Sequence, residues 1–280
     1  MTMLELGFMQ RALVACAAVA LVAPVVGTFV VQRRQSLIGD GMGHVAFAGV
    51  GVAFLAGVAP LWGATILVVA GAVALWAMQR SGMAGDLALA MIFYGGIAVG
   101  YLLMHRSGMG LNSVVVLLFG SPLNLDWGQV WSIVGLAAVV LAVVAVGYRP
   151  LVAAAFDEEA ARVSGIPTDR LALALTIVIG LIVVGGMYAL GLLLIAAMLV
   201  VPVAAAAQVA RSYRGTVILG AGIGGGSALV GLTLAFYVDL TPGASIVLTA
   251  IACYLVASAG RLVVGGTRDP AVAPARGAER

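Results

Sequence analysis

Lysine is missing from this 280-residue chain; all fourteen of its basic side chains are arginine. We read that as a composition bias rather than chemistry, and a net charge of +3 gives no case for nucleic-acid binding. Charge of either sign is scarce, at 9% of residues, where a soluble domain carries about a quarter. A soluble globular fold is therefore excluded. The chain has only two cysteines, Cys16 and Cys253, both inside apolar segments, which argues for buried thiols and against a disulfide or thiolate metal site. The phosphate-cradling pattern GxxxxGK[ST] is absent, so ATP hydrolysis would have to reside in another chain. HExxH is absent too, and His44 has no serine near it in sequence, which speaks against an intramembrane protease. The first apolar run, 12–31, is too long for a signal-peptide core and lacks a small-x-small cleavage site, so no cleaved leader is expected.

What is abundant is apolar. Hydrophobic residues make up 63% of the chain, and mean hydropathy is +1.18. Nine runs approach the length that crosses about 30 Å of hydrocarbon: 12–31, 40–59, 61–79, 86–104, 127–147, 171–189, 190–208, 214–237 and 243–261. The run 112–120 is too short and reads as a partly inserted segment or a loop on one face. The class is all-α: a polytopic membrane protein of eight to nine transmembrane helices, with one membrane domain over 1–264. The tail 265–280 is rich in Gly, Pro, Ala and charge, and is expected to be disordered. Gly, at 38 residues, suits close helix contact.

The arginines orient the spans. With the N-terminus outside, only Arg11 and Arg106 are external. Arg33, Arg34, Arg80, Arg149, Arg162, Arg170, Arg211, Arg214, Arg261 and the three tail arginines are then cytoplasmic, as is the C-terminus. A tenth span at 112–120 would break that pattern.

Ionisable groups inside apolar segments are costly and therefore candidates for function. Asp40 and His44 open the second span in GDGMGHVAFAG. At i and i+4 on a helix they share one face, one turn apart. A carboxylate and an imidazole together suit Zn²⁺ or Mn²⁺. Asp40 is equally well read as an N-cap, because Asp is a favoured residue there. Two ligands do not fill a metal shell. Asp239, in YVDLTPGAS, is either a third ligand or turn chemistry. The span count places Asp40 near the cytoplasmic end of its helix and Asp239 near the external end. About 30 Å of helix separates those ends, so a shared shell conflicts with the topology. Asp86 reads most simply as the N-cap of the fourth span and is left out of the site. Pro202 is expected to kink its helix.

The charge-dense stretch in the body of the chain is YRPLVAAAFDEEAARVSGIPTDRL. Asp157 is a good N-cap, Glu158 and Glu159 complement the helix start, and Glu158 pairs with Arg162 at i, i+4. Gly165 and Pro167 stop the helix. The result is a helix of about two turns over 157–166. It is either a plain surface helix or a docking knob for a partner.

Five stretches resemble the ABC-3 family, the permease subunits of zinc and manganese ABC importers. They are RRQSLIGDGMGHVAFAGVGVAFLAG (33–57), VVLLFGSPL (115–123), DEEAARVSGIP (157–167), GLLLIAAMLVVPVAAAAQVA (191–210) and YVDLTPGASIVL (237–248). The resemblance implies a type II importer-like permease in the plasma membrane of a bacterium, with no covalent cofactor. It implies a homodimer around a translocation path, a cytoplasmic ATPase docked on 157–166 and an extracellular metal-binding lipoprotein. Asp157, Glu158, Glu159, Arg162 and Gly165 would couple to the ATPase; Asp40, His44 and Asp239 would contact the transported ion. The stretch GDGMGHV looks more like the zinc members, so Zn²⁺ is the first expectation and Mn²⁺ or Fe²⁺ the alternative. A secondary metal transporter is a more distant alternative: it predicts an inverted repeat and more membrane carboxylates, and no clear repeat is present.

Overall fold

The computed structural model describes residues 3–108 and 111–264; the tail expected to be disordered lies outside them. After a 3₁₀ turn at Met3–Glu5 the described residues run through twelve α-helices. They are α1 (Gly7–Gln32), α2 (Ile38–Ala56), α3 (Pro60–Arg80), α4 (Gly85–Arg106), α5 (Leu111–Phe119) and α6 (Trp127–Val146), then α7 (Tyr148–Phe156), α8 (Glu158–Val163), α9 (Thr168–Ala189), α10 (Leu192–Val209), α11 (Tyr213–Val238) and α12 (Pro242–Val264). Among the described residues, nine of these are long and apolar enough to cross a membrane, at the positions read from sequence. Backbone polar groups have no water to bind in hydrocarbon, so each apolar run closes its own hydrogen bonds as helix.

Chain alternation gives the bundle an arginine-rich face, with Arg33, Arg34, Arg80, Arg149, Arg162, Arg170, Arg211, Arg214 and Arg261. The opposite face carries Arg11 and Arg106. α1 is a central post, packed on α6, α9, α10 and α11; α2 lies between α3 and α4 and also touches α9 and α10. Phe29, Met42, Ile179, Ile182 and Met198 are fully buried at the junction of these helices.

Pro202 sits inside α10, which continues as helix through it. Both cysteines are free. The Cys16 sulfur lies 3.9 Å from the Ala189 carbonyl oxygen. Cys16 is nine residues into α1, about 14 Å along it. The α9–α10 turn therefore lies well inside the end of α1. The end of α5 packs on that same turn through Gly120 and Gly191. The short run 112–120 thus forms a helix whose far end meets the interior, rather than a tenth span.

Candidate metal-translocation site

α2 begins at Ile38 with Leu37 as its N-cap, and no side chain caps it. Asp40 is the third residue of the helix, not its cap. Its carboxylate projects from the first turn, on the same face as His44 one turn later. The apolar helices around α2 carry glycine where they meet it. A Cβ on Gly96 would lie 2.9 Å from the His44 carbonyl carbon, and one on Gly71 would lie 2.8 Å from Val45 Cγ1. Gly96 and Gly71 are the midpoints of α4 and α3. His44 therefore stands at mid-depth in the bundle, with Asp40 one turn towards the arginine-rich face. The span boundaries alone had put the pair at a helix mouth. Packing against α3 and α4 shows it to be deeper.

Asp40 and His44 line one cavity of about 500 Å³. Leu37 and Leu193 line it, together with Asp86, Leu89, Ala90, Phe93 and Tyr94 of α4. Phe93 meets the His44 ring edge-on, with centroids 4.8 Å apart, and so fixes the plane of the imidazole. Neither Asp40 nor His44 spends its polar atoms on a hydrogen bond to another described residue, so both present unspent polar atoms to the cavity.

Asp86 also departs from the sequence reading. Ala84 is the N-cap of α4, without a side-chain cap, and Asp86 is the helix's second residue. It lines the Asp40–His44 cavity and also a second cavity of about 170 Å³. That second cavity reaches Arg34, Gln35, Ser36 and Gln79 on the arginine-rich face. Sequence reasoning set Asp86 aside because a first-turn aspartate is usually capping. The usable signal was its place at the start of a helix running parallel to α2.

Asp239 does not join this group. It ends α11 in the left-handed conformation, φ 55°, is exposed, and does not line the cavity. α11 packs on α1, α10 and α12. Among the described residues no three His, Cys, Asp or Glu side chains converge as a metal-holding group. One copy of the chain thus places one carboxylate, one imidazole and the Asp86 carboxylate along one cavity, without the convergence that a closed metal shell needs.

On the arginine-rich face, Asp157 caps α8, its Oδ1 accepting from the Ala160 N–H at 2.9 Å. Arg162 pairs with Glu158 at 3.3 Å and with Asp169 of α9 at 3.5 Å. Gly165 takes φ +83° and ends the segment. Glu159 is exposed. The helix proper is six residues, Glu158–Val163, and a separate α7 precedes it. One contact was invisible in sequence: Arg33, at the end of α1, donates to Glu158 Oε2 at 3.0 Å. α8 is thereby tied to α1 on one side and α9 on the other.

A family model described as the ABC 3 transport family matches residues 5–261. The manganese transport system membrane protein MntC of Halalkalibacterium halodurans is 31% identical over 259 residues, covering 91% of this chain and 88% of that protein. The manganese import system permease protein ScaB of Streptococcus gordonii is 29% identical over 250 residues, covering 89% and 90%. In the solved structure of PsaBC from Streptococcus pneumoniae in complex with Fab, one chain superposes with a TM-score of 0.83 at 27% identity, covering 91% of this chain and 92% of that one.

Proposed function

This chain belongs to the ABC 3 transport family, and we propose that it is the membrane-spanning permease of an ATP-driven manganese importer. It is a multi-pass membrane protein and a permease subunit of a metal ABC importer. The observation that carries the metal path is the Asp40–His44 pair at mid-depth, facing a cavity with its polar atoms unspent. A half-buried carboxylate and imidazole without internal partners, set between apolar helices, cost stability unless something binds there. The Gly-Met-Gly of GDGMGHV favoured zinc; the manganese names of the relatives favour Mn²⁺, and the pair itself suits either ion.

Two copies related by a two-fold axis would bring two Asp40–His44 pairs together. That supplies four ligands where one chain has two, enough for a first-row divalent ion. Asp86 would then receive the ion on its way to the arginine-rich face, which we place in the cytoplasm with the C-terminus. An ATPase in a separate chain docks on α8, and a metal-binding lipoprotein delivers the ion at the opposite face. ATP-driven movement of α8 reaches the site by a short route. Glu158 pulls on Arg33, and only four residues separate Arg33 from the start of α2. The chain's own groups then alternate between exposure to the two faces.

The test is competitive uptake of labelled Mn²⁺ and Zn²⁺ by cells carrying the complete transporter, with wild type and the Asp40→Ala/His44→Ala variant. Saturable Mn²⁺ uptake that the variant loses, while it still binds the ATPase, supports the reading. Uptake dominated by Zn²⁺ overturns the metal, and unchanged uptake in the variant overturns the site.

A further inference from the structure

We propose that the cavity between the end of α3, α8 and the start of α9 binds a phosphate-bearing anion at the arginine-rich surface of the membrane. The cavity is about 590 Å³ and is separate from the ion path. Arg80, Arg162 and Arg170 line it, against one carboxylate, Asp169. Arg162 is already paired with Glu158 and Asp169. Arg80 and Arg170 have no carboxylate partner among the described residues. Two unpaired guanidiniums thus converge on one space, with charge left to neutralise.

The remaining walls match a phosphate carried on an apolar body. The Arg80 guanidinium lies 5.2 Å from the centre of the Trp76 ring, a stack that holds it on the cavity wall with its N–H edge free. A planar guanidinium fits phosphate through paired N–H donors. Trp76, Ile166, Pro167 and Leu173 supply the apolar side. Tryptophan settles at headgroup level in membranes, and basic pockets between spans at the inner surface take acidic headgroups. An anionic phospholipid offers both the phosphate and the chain; a free phosphate or nucleotide offers the first alone. A bound anion would join α3 to α8 and α9, bracing the helix that Arg33 already holds.

The experiment uses the full chain in nanodiscs of equimolar phosphatidylglycerol and phosphatidylcholine, then in phosphatidylcholine alone with inorganic phosphate or ADP added. Native mass spectrometry reads the lipid retained after transfer to detergent, and calorimetry reads the soluble anions. The variants are Arg80→Gln, Arg170→Gln and both together, with Arg106→Gln on the opposite face as the charge control. Retention of phosphatidylglycerol over phosphatidylcholine, falling about fivefold with each arginine removed, identifies a lipid site. Phosphate or ADP binding that requires both arginines, with no lipid enrichment, identifies a soluble phosphate ligand at the same cavity. Binding of neither kind overturns the proposal, as does an Arg106→Gln variant that loses as much as the double variant. All three arginines are exposed, and unchanged thermal unfolding confirms that the variants fold.

Discussion

Gly96 of α4 presses on His44 of α2: a Cβ at Gly96 would lie 3.1 Å from the His44 Cβ and 3.0 Å from the Val45 nitrogen. No side chain stands between the two backbones at the depth of the candidate site. Gly96→Val forces the helices apart at the imidazole. Overpacking of this kind costs about 1–3 kcal/mol. The expected outcome is a modest drop in thermal stability and a much larger loss of uptake at equal expression. Gly95→Ala is the matched control, because its neighbour space is open. Uptake by Gly96→Val equal to that of the control would show that α2 and α4 need not touch for transport.

Asp86 lies between two cavities, one holding Asp40 and His44 and the other open to Arg34 and Gln79. Asp86→Asn keeps the size of the side chain and removes the charge. Supporting groups around a metal typically matter by 10–100-fold, so uptake should fall by roughly tenfold, less than for Asp40→Ala/His44→Ala. Binding of the ATPase should not change. A full-rate Asp86→Asn variant would return Asp86 to a bland first-turn aspartate.

The difference between Asp40 and Asp86 shows how far the sequence could be read. Nine spans were legible because apolar length reports membrane thickness directly. The Asp40–His44 face was legible because helical spacing is local. Depth was not, because it depends on how far α2 starts inside its neighbours, which Gly71 and Gly96 settle through contacts between helices. The place of Asp86 on the cavity was not legible for the same reason: alone it has the signature of a capping residue, and only the packing of α4 beside α2 sets it on the cavity wall. The Arg33–Glu158 pair spans 125 positions of sequence, and no periodicity announces it.

That pair ties α8 to the end of α1, with four residues between Arg33 and the start of α2. The Arg33 side chain is 13% exposed and that of Glu158 45%, so the bond is partly screened and adds about 0.5–1 kcal/mol at most. Stability should therefore hardly move in Arg33→Glu. Coupling should: the variant is expected to hydrolyse more ATP per ion carried in proteoliposomes. The swap Arg33→Glu/Glu158→Arg should recover part of that ratio, although Arg162 then loses its Glu158 partner. A single reversal with wild-type coupling would move the transmission route to the Arg162–Asp169 contact.

Gly120 and Gly191 hold the end of α5 against the α9–α10 turn, and both have positive φ, +77° and +94°. A Cβ on Gly120 would overlap the backbone of Leu190 and Gly191, and one on Gly191 would overlap Phe119 and Gly120. Backbone, unlike a flexible side chain, cannot turn aside. Gly120→Ala therefore carries two penalties: about 1–2 kcal/mol for an L-residue in the left-handed region and about 1–3 kcal/mol for overpacking. Gly222→Ala is the contrast, since Gly222 is helical and has no neighbour within 4 Å. It removes only the flexibility of glycine, which favours the helix by roughly 0.5–1 kcal/mol. Thermal unfolding in detergent should therefore separate the two alanines, lowering the midpoint for Gly120→Ala and leaving it level or raised for Gly222→Ala. Equal midpoints would mean that the α5 end can leave the turn without cost, and that its inward seat is not part of what holds the bundle together.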